Sequence, residues 1–190
     1  MIKNHDRSKW FGASDTHFIM GKWNTKTFTK WWCVKLGLIK NNFQTKETLA
    51  GTNYEHKIAM AVEEEIKETL KLDRQFKIKK YALRVNLDAE TKDTVVEIKT
   101  FKNCEDWKLP KNYIMQVRVQ GYFAKKKCLI VAYPMEDENY KNYFLPIEKE
   151  KLKYFEIEQD FEFIENYKKR VLYLKKCLKK GKLPKESGLC

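Results

Sequence analysis

The chain has 190 residues, of which 43% are hydrophobic and 14% aromatic, enough to bury the core of one domain and too few to assume two. No apolar run approaches the ~20 residues of a membrane span, and the opening MIKNHDRSKW carries no signal-peptide segment, so a cytoplasmic protein without membrane attachment is expected. A formal net charge of +13 favours polyanionic partners, nucleic acid above all, through phosphate contacts and counterion release.

Only 4 prolines and 7 glycines punctuate the chain. With no repeat, low-complexity tract or linker, residues 1–190 read as one domain. FGASDTHFIMG is expected to turn into a short helix, with Ser14 or Asp15 as its N-cap. KTFTKWWCVKLGL reads as a second helix, with Phe28, Trp31, Trp32 and Leu36 on one face and Gly37 near its end. A stronger helix spans 48–72, where Ala59, Val62 and Ile66 form a stripe that Leu70 extends. Strands are expected at 75–80, 82–88 and 94–101, the last two joined by the turn AETKD. A helix over 112–126 precedes CLIVAYPM, an apolar run of the kind buried on both faces of a sheet. NYFLPIE suggests one more strand. The last helix, 161–181, has Ile164, Tyr167, Val171, Leu174 and Leu178 at helical spacing, Gly181 at its C-cap and Pro184 beyond. The order points to an α/β architecture with a mixed sheet.

The five cysteines, Cys33, Cys104, Cys128, Cys177 and Cys190, include no C-x-x-C pair and are odd in number. Zinc, disulfide and iron–sulfur frameworks all fit poorly, which leaves reduced thiols.

The chemistry concentrates in LRVNLDAETKDTVVEIKT. On a strand Glu97 and Lys99 point together, while Val96 and Ile98 point to the other face. Asp88 ends the partner strand, and a slight splay or bulge would bring its carboxylate beside that of Glu97. Two adjacent carboxylates suit a hard cation, Mg²⁺ or Mn²⁺, with Lys99 as an added positive charge. The competing reading is a solvated hairpin rim, its Glu97–Lys99 pair worth ~0–1 kcal/mol. Glu55 shares the helix stripe of Ala59, Val62 and Ile66, which would aim a third carboxylate at the sheet. TNYE is also a capping box, with Thr52 as N-cap and Glu55 at N3, and helix geometry alone favours capping.

Glu55 in AGTNYEH, Asp88 in VNLDA and EIK at 97–99 resemble the PD-(D/E)xK nuclease pattern. The order of motifs is similar to that of the lambda-exonuclease-like phage recombination nucleases of the YqaJ type. GASD with Arg7 upstream resembles that family's opening, QVRVQGYFA its glutamine-bearing helix, and the basic last helix running into GKLP its close, so the resemblance covers nearly the whole chain. It implies a restriction-endonuclease-like core, a central mixed β-sheet flanked by helices. It also implies that Asp88, Glu97 and the Ile98 carbonyl bind one or two Mg²⁺ or Mn²⁺ ions, with Glu55 completing the acidic set directly or through water. Lys99 would position the nucleophilic water, and Gln116 would orient Lys99 and the scissile phosphate region. Arg7 and Ser14 match residues that cradle a terminal 5′-phosphate. Asn86 departs from the family, standing where a serine precedes the metal aspartate by two residues; it can still donate to phosphate.

The activity so implied is a metal-dependent 5′→3′ exonuclease on linear duplex DNA ends, in phage-type recombination or DNA processing. A single-strand annealing protein and a homo-oligomer, a trimer by analogy, are the implied partners. The alternatives are a single-strand or structure-specific nuclease, and a catalytically silent nuclease-fold module that binds DNA or protein. The basic stretch from Tyr167 to Lys185 could hold a DNA backbone or form a solvated helix face. Trp31 and Trp32 could stack on bases, although core packing is the stronger expectation.

Overall fold

The computed structural model describes residues 8–40 and 45–189. Alternating apolar and polar residues in LRVNLDAE and the β-branched run TVVEIKTFK make two strands, β3 (Leu83–Glu90) and β4 (Thr94–Lys102). Upstream, Phe11–Gly12 forms β1 and Lys71–Ile78 forms β2. Downstream, α4 (Lys111–Ala124) carries the chain back so that β5 (Lys127–Met135) runs parallel to β4, from Thr94↔Lys127 to Lys102↔Met135. β6 (Lys153–Ile157) adds antiparallel to β5. Among the described residues this is a mixed six-stranded sheet.

β2 pairs with β3 from one end to the other, Lys71↔Glu90 to Ile78↔Leu83. On β3's other edge, β4 pairs only at Ala89↔Val96 and Glu90↔Val95. β1 pairs with the far end of β3, at Phe11↔Leu83 and Gly12↔Arg84. Because β2 already occupies those residues on its own side, β1 lies on the edge that β4 has left. The two strands therefore diverge as a fork whose open end is occupied by β1.

Helices α1 (Thr16–Met20), α2 (Lys26–Lys35), α4 and α5 (Phe161–Lys179) cover one face. Their core joins Ile19, Phe28, Trp32, Val117, Tyr167 and Val171 to Leu83, Val85 and Leu87. α3 (Lys46–Ile66) covers the other face, packing Ala50, Tyr54, Ile58 and Val62 on Val96, Ile98 and Val131. The expected mixed sheet flanked by helices is present. No helix among the described residues is long and apolar enough to cross a membrane.

Several elements differ from the sequence reading. α3 begins at Lys46, where Thr45 caps it by accepting from Thr48 N–H at 3.2 Å. Thr52 is thus interior and donates back to the Thr48 carbonyl at 3.0 Å, so Thr52 and Glu55 form no capping box. Gly51 does not break the helix: a Cβ there would lie 3.1 Å from Thr100 Oγ1, so glycine lets α3 approach β4. The helix stops at Ile66, where Lys67 takes a left-handed φ of 55°. NYFLPIE is not a strand. Pro146 has no N–H to give a ladder, and the Tyr143 and Leu145 carbonyls accept from Lys57 Nζ at 2.6 and 3.3 Å. The edge strand is instead KYFEI, whose Phe155 and Ile157 pack on the first core. Trp31 and Trp32 are buried, as core packing requires.

α4 approaches β5 closely at Gly121. A Cβ there would sit 2.2 Å from Cys128 Sγ and 2.9 Å from the Lys126 carbonyl. Gly121→Ala is expected to cost about 1–3 kcal/mol through overpacking, more than the ~1 kcal/mol gained in helix propensity. Urea unfolding checks this. Combining it with Cys128→Ala yields a double variant more stable than the two separate losses predict, and strict additivity would show that the contact is not the cause.

Candidate active site

The divergence of β3 and β4 is centred on Asp88. Leu87 and Ala89, two residues apart and so expected on one face, pack into opposite cores. Continuing the β2–β3 register puts Asp73 opposite Asp88, and Asp73 has a left-handed φ of 56°. The pleat is interrupted there in both strands. Continuing the β3–β4 register puts Asp88 opposite Glu97, but in place of the ladder the Ile98 N–H donates to Asp88 Oδ2 at 2.9 Å. The splay expected from the sequence is present, and it turns the Asp88 carboxylate into the fork.

Glu97 sits on the α4 side of β4 and is almost wholly buried. Its Oε1 accepts from Lys99 Nζ and from Gln116 Nε2. Its Oε2 accepts from Gln120 Nε2 at 2.5 Å. Lys99 also lies 5.3 Å from the centre of the Tyr113 ring. Burial works against charge on Lys99, but Glu97 and Asp88 outweigh it and hold the ammonium above its ordinary pKa. Burial first, and then the charge of Glu97, push the Asp88 carboxyl well above the ordinary carboxylate range, with Lys99 opposing.

Ser14, Asn86, Asp88, Glu97, Lys99 and Gln116 line one cleft of about 180 Å³. Six of the residues expected at the site are therefore brought together. Ile98 turns its side chain into the second core. Arg7 lies outside the described residues. Glu55 stands mid-helix at the flank of α3's buried stripe. Burial, then Glu97 and Asp73, push its carboxyl up, so it senses the site electrostatically. It does not share the mutual ligand spacing of a single ion with Asp88 and Glu97. Among the described residues, the group whose ligand atoms lie within 4.8 Å of one another is Glu55, His56 and Asp73, with His56 Nε2 and Asp73 Oδ2 2.8 Å apart.

The sequence reading missed other residues of the cleft. Arg84 and Lys35 line it and are nearly buried. Arg84, Asn86 and Asp88 are alternate positions of β3, so the period of two could have flagged Arg84. Lys35 comes from α2 and had no local signal. Its Nζ lies 2.6 Å from Asp15 Oδ2. Asp15 also accepts from Gly12 N–H at 2.7 Å and from Trp31 Nε1 at 2.9 Å. These bonds fix the turn carrying Ser14. Asn86 Oδ1 accepts from Gln75 Nε2 at 2.9 Å, which orients its amide. Gln120 lay four residues after Gln116, the spacing of one helix face.

The donor set suits a hard divalent cation. Asp88 and Glu97 offer carboxylate oxygens, and burial together with the charge of Glu97 makes the ionised Asp88 costly, a cost that a cation would relieve. Both residues line a cleft that Lys35, Arg84 and Lys99 also line, which an anionic substrate could enter.

A family profile described as "YqaJ-like viral recombinase domain" matches residues 4–127. No curated protein matches the chain in sequence. Among solved structures, the chain is similar to an alkaline exonuclease from Laribacter hongkongensis, with TM-score 0.70, 18% identity and coverage of 92% of this chain and 90% of that one. The same enzyme in complex with dAMP gives the same values. A phage related exonuclease from Haemophilus somnus 129PT follows, with TM-score 0.62, 14% identity and coverage of 90% and 94%. At these identities the likeness shows a shared fold.

The crowding of carboxylates makes a direct statement about stability. In EDTA, Asp88→Asn keeps an acceptor for the Ile98 N–H and removes one negative charge. It is expected to raise the unfolding temperature by about 2–4 °C, the shift given by roughly 1 kcal/mol in a chain of this size. An unchanged or lower temperature in calorimetry would mean that the charge is no burden to the metal-free fold.

Proposed function

The chain belongs to the YqaJ-like viral recombinase domain family, and from that premise we propose that it is a divalent-metal-dependent deoxyribonuclease. The observation that carries the reading is the single cleft lined by Asp88, Glu97 and Lys99 together with Ser14, Asn86 and Gln116. Fold analogy alone would not carry it, since one fold hosts many functions.

Asp88 and Glu97 would hold the cation with the Ile98 carbonyl, and Glu55 would reach it through water. The bound cation, Mg²⁺ or Mn²⁺, supplies Lewis-acid activation of a water and neutralises charge gathering on the phosphate. Without the cation, Glu97 and Asp88 outweigh burial and hold Lys99 as an ammonium, which would act as a donor. Its Nζ can orient the attacking water or the phosphoryl oxygen. Gln116 donates to the same Glu97 oxygen as Lys99 and so sets the direction of both. The water oxygen bonds to phosphorus, the bond to the 3′-oxygen breaks, and a 5′-phosphate is left on the product. Ser14, Asn86 and Arg7 would receive the terminal 5′-phosphate, with Arg84 and Lys35 adding positive charge to that end of the cleft. The family extends the reading to 5′→3′ digestion of linear duplex ends in phage-type recombination, with a single-strand annealing protein as partner and a homo-oligomer as the working form.

A cleavage assay on linear and covalently closed duplex tests the proposal. Linear DNA is expected to be degraded in Mg²⁺ or Mn²⁺ and left intact in EDTA. Asp88→Ala and Lys99→Ala each lower the rate by at least about 100-fold while the fold and DNA binding persist. Absence of cleavage by the wild type in either metal would favour a binding module, and equal attack on closed circles would favour an endonuclease. Removing the 5′-phosphate from linear duplex is expected to slow digestion several-fold, and equal rates would remove Ser14 and Asn86 from phosphate recognition.

A further inference from the structure

Gln120 lies one helical turn beyond Gln116 on α4 and is fully buried. Its Nε2 donates to Glu97 Oε2 at 2.5 Å and to the main-chain carbonyl of Asn86 at 2.9 Å. An amide nitrogen carries two hydrogens, so both are engaged. Its Oε1 is buried and has no hydrogen-bond partner among the described residues. Reversing the amide would set that oxygen against two acceptors, the Glu97 carboxylate and the Asn86 carbonyl, so the orientation follows from the chemistry of the neighbours. A buried acceptor without a donor is a standing cost to the fold, and Leu or Met could fill the same volume without it.

The donors on Glu97 supply a reason for that cost. Each carboxylate oxygen has two lone pairs. Oε1 receives Lys99 and Gln116 and is filled. Among the described residues Oε2 receives Gln120 alone, which leaves it one lone pair. We infer that Gln120 is a positioning residue that fixes the orientation of the Glu97 carboxylate, which would hold the cation. Through the Asn86 carbonyl it also ties the β3 arm of the fork to the β4 arm, the two arms whose carboxylates would hold the cation. The inference rests on the metal-dependent reading of the same cleft.

Mn²⁺ binding to the full chain, followed by the EPR signal of free Mn²⁺, separates the two. The samples are wild type, Glu97→Gln, Gln120→Met and Val119→Ala, each checked for folding by circular dichroism. Hydrogen-bond partners of metal ligands are worth about 10–100-fold in affinity. Gln120→Met is therefore expected to weaken Mn²⁺ by about 10–100-fold. Val119→Ala, equally buried on α4 but without a polar group, leaves the affinity unchanged. Cleavage by Gln120→Met recovers as Mn²⁺ is raised, and cleavage by Glu97→Gln does not. Wild-type affinity in folded Gln120→Met overturns the inference and leaves the nuclease reading standing. Binding that Glu97→Gln fails to weaken removes the metal from Glu97, and this inference with it. If Gln120→Met does not fold, Gln120→Asn, whose shorter amide cannot reach Glu97, takes its place. Failure of both to fold beside a folded Val119→Ala makes Gln120 a core residue and overturns the inference.

Discussion

β3 and β4 are ladder partners only at Ala89↔Val96 and Glu90↔Val95, and the cleft opens where that ladder stops. The closed end is fastened by buried charge. Glu90 accepts from Arg74 at 2.8 and 2.9 Å and from Lys126 at 2.7 Å, and Lys126 also holds the Thr91 carbonyl at 2.5 Å. A buried carboxylate so fully paired is tolerated, and loss of one partner would leave it exposed to the desolvation cost. At the open end β1 takes over the edge of β3 at Leu83 and Arg84. It delivers the turn carrying Ser14 to the same cavity. The backbone groups that the fork frees would be costly if left unpaired, and the Ile98 N–H, turning to Asp88, shows how one of them is satisfied.

The fork creates an electrostatic problem and contains part of its answer. Burial first, and then the charge of Glu97, push the carboxyls of both Asp88 and Glu55 upward. Glu97 is relieved by three donors from two elements, Lys99 on β4 and Gln116 and Gln120 on α4. Asp88 has a single N–H among the described residues. The asymmetry marks where a cation would contribute most. On the proposed reading, Glu97 is positioned by the protein, whereas Asp88 would be completed by the cation. Arrangements of this kind trade stability for a site that is ready before its ligand arrives.

The hairpin, the α4–β5 crossover and the last helix were legible because period-two and helical patterns are local. The pairing of Asp88 with Glu97 followed from hairpin arithmetic and needed only the splay. Glu55 shows the limit. The Thr52 capping box was chemically sound in isolation. It lost because residues upstream of Gly51 also form helix, and because Gly51 serves the approach to Thr100 rather than a break. Arg84 was readable in principle from β3's alternation. Lys35 and Asp15 were not, since their ion pair joins α2 to the turn after β1 and no spacing in the sequence announces it. The KYFEI strand was overlooked because an edge strand needs pattern on one side only. NYFLPIE drew attention because its apolar residues are contiguous, yet its carbonyls serve Lys57.

The excess of positive charge is less evenly available than its total suggests. On α5, Arg170 donates to the Ile19 and Gly21 carbonyls, each at 2.6 Å, and so closes the end of α1. Lys175 holds the Lys79 and Lys80 carbonyls at 2.8 and 2.9 Å. Lys168 is engaged by Glu165 and by the Tyr122 hydroxyl. These cations tie α5 to α1, to the turn between β2 and β3 and to α4, and are poor candidates for phosphate contacts. Lys169, Lys176, Lys179 and Lys180 remain exposed along the same helix. Within the cleft the positive charge is of another kind: Lys35, Arg84 and Lys99 are buried or nearly so, where each charge acts through a lower dielectric and is screened less by salt. On the proposed reading, long-range attraction of a polyanion and recognition of one phosphate would fall to different residues. The first would rest on many exposed lysines of small individual effect. The second would rest on the few cations that line the cleft, Arg84 and Lys99 held by the two arms of the fork and Lys35 by α2.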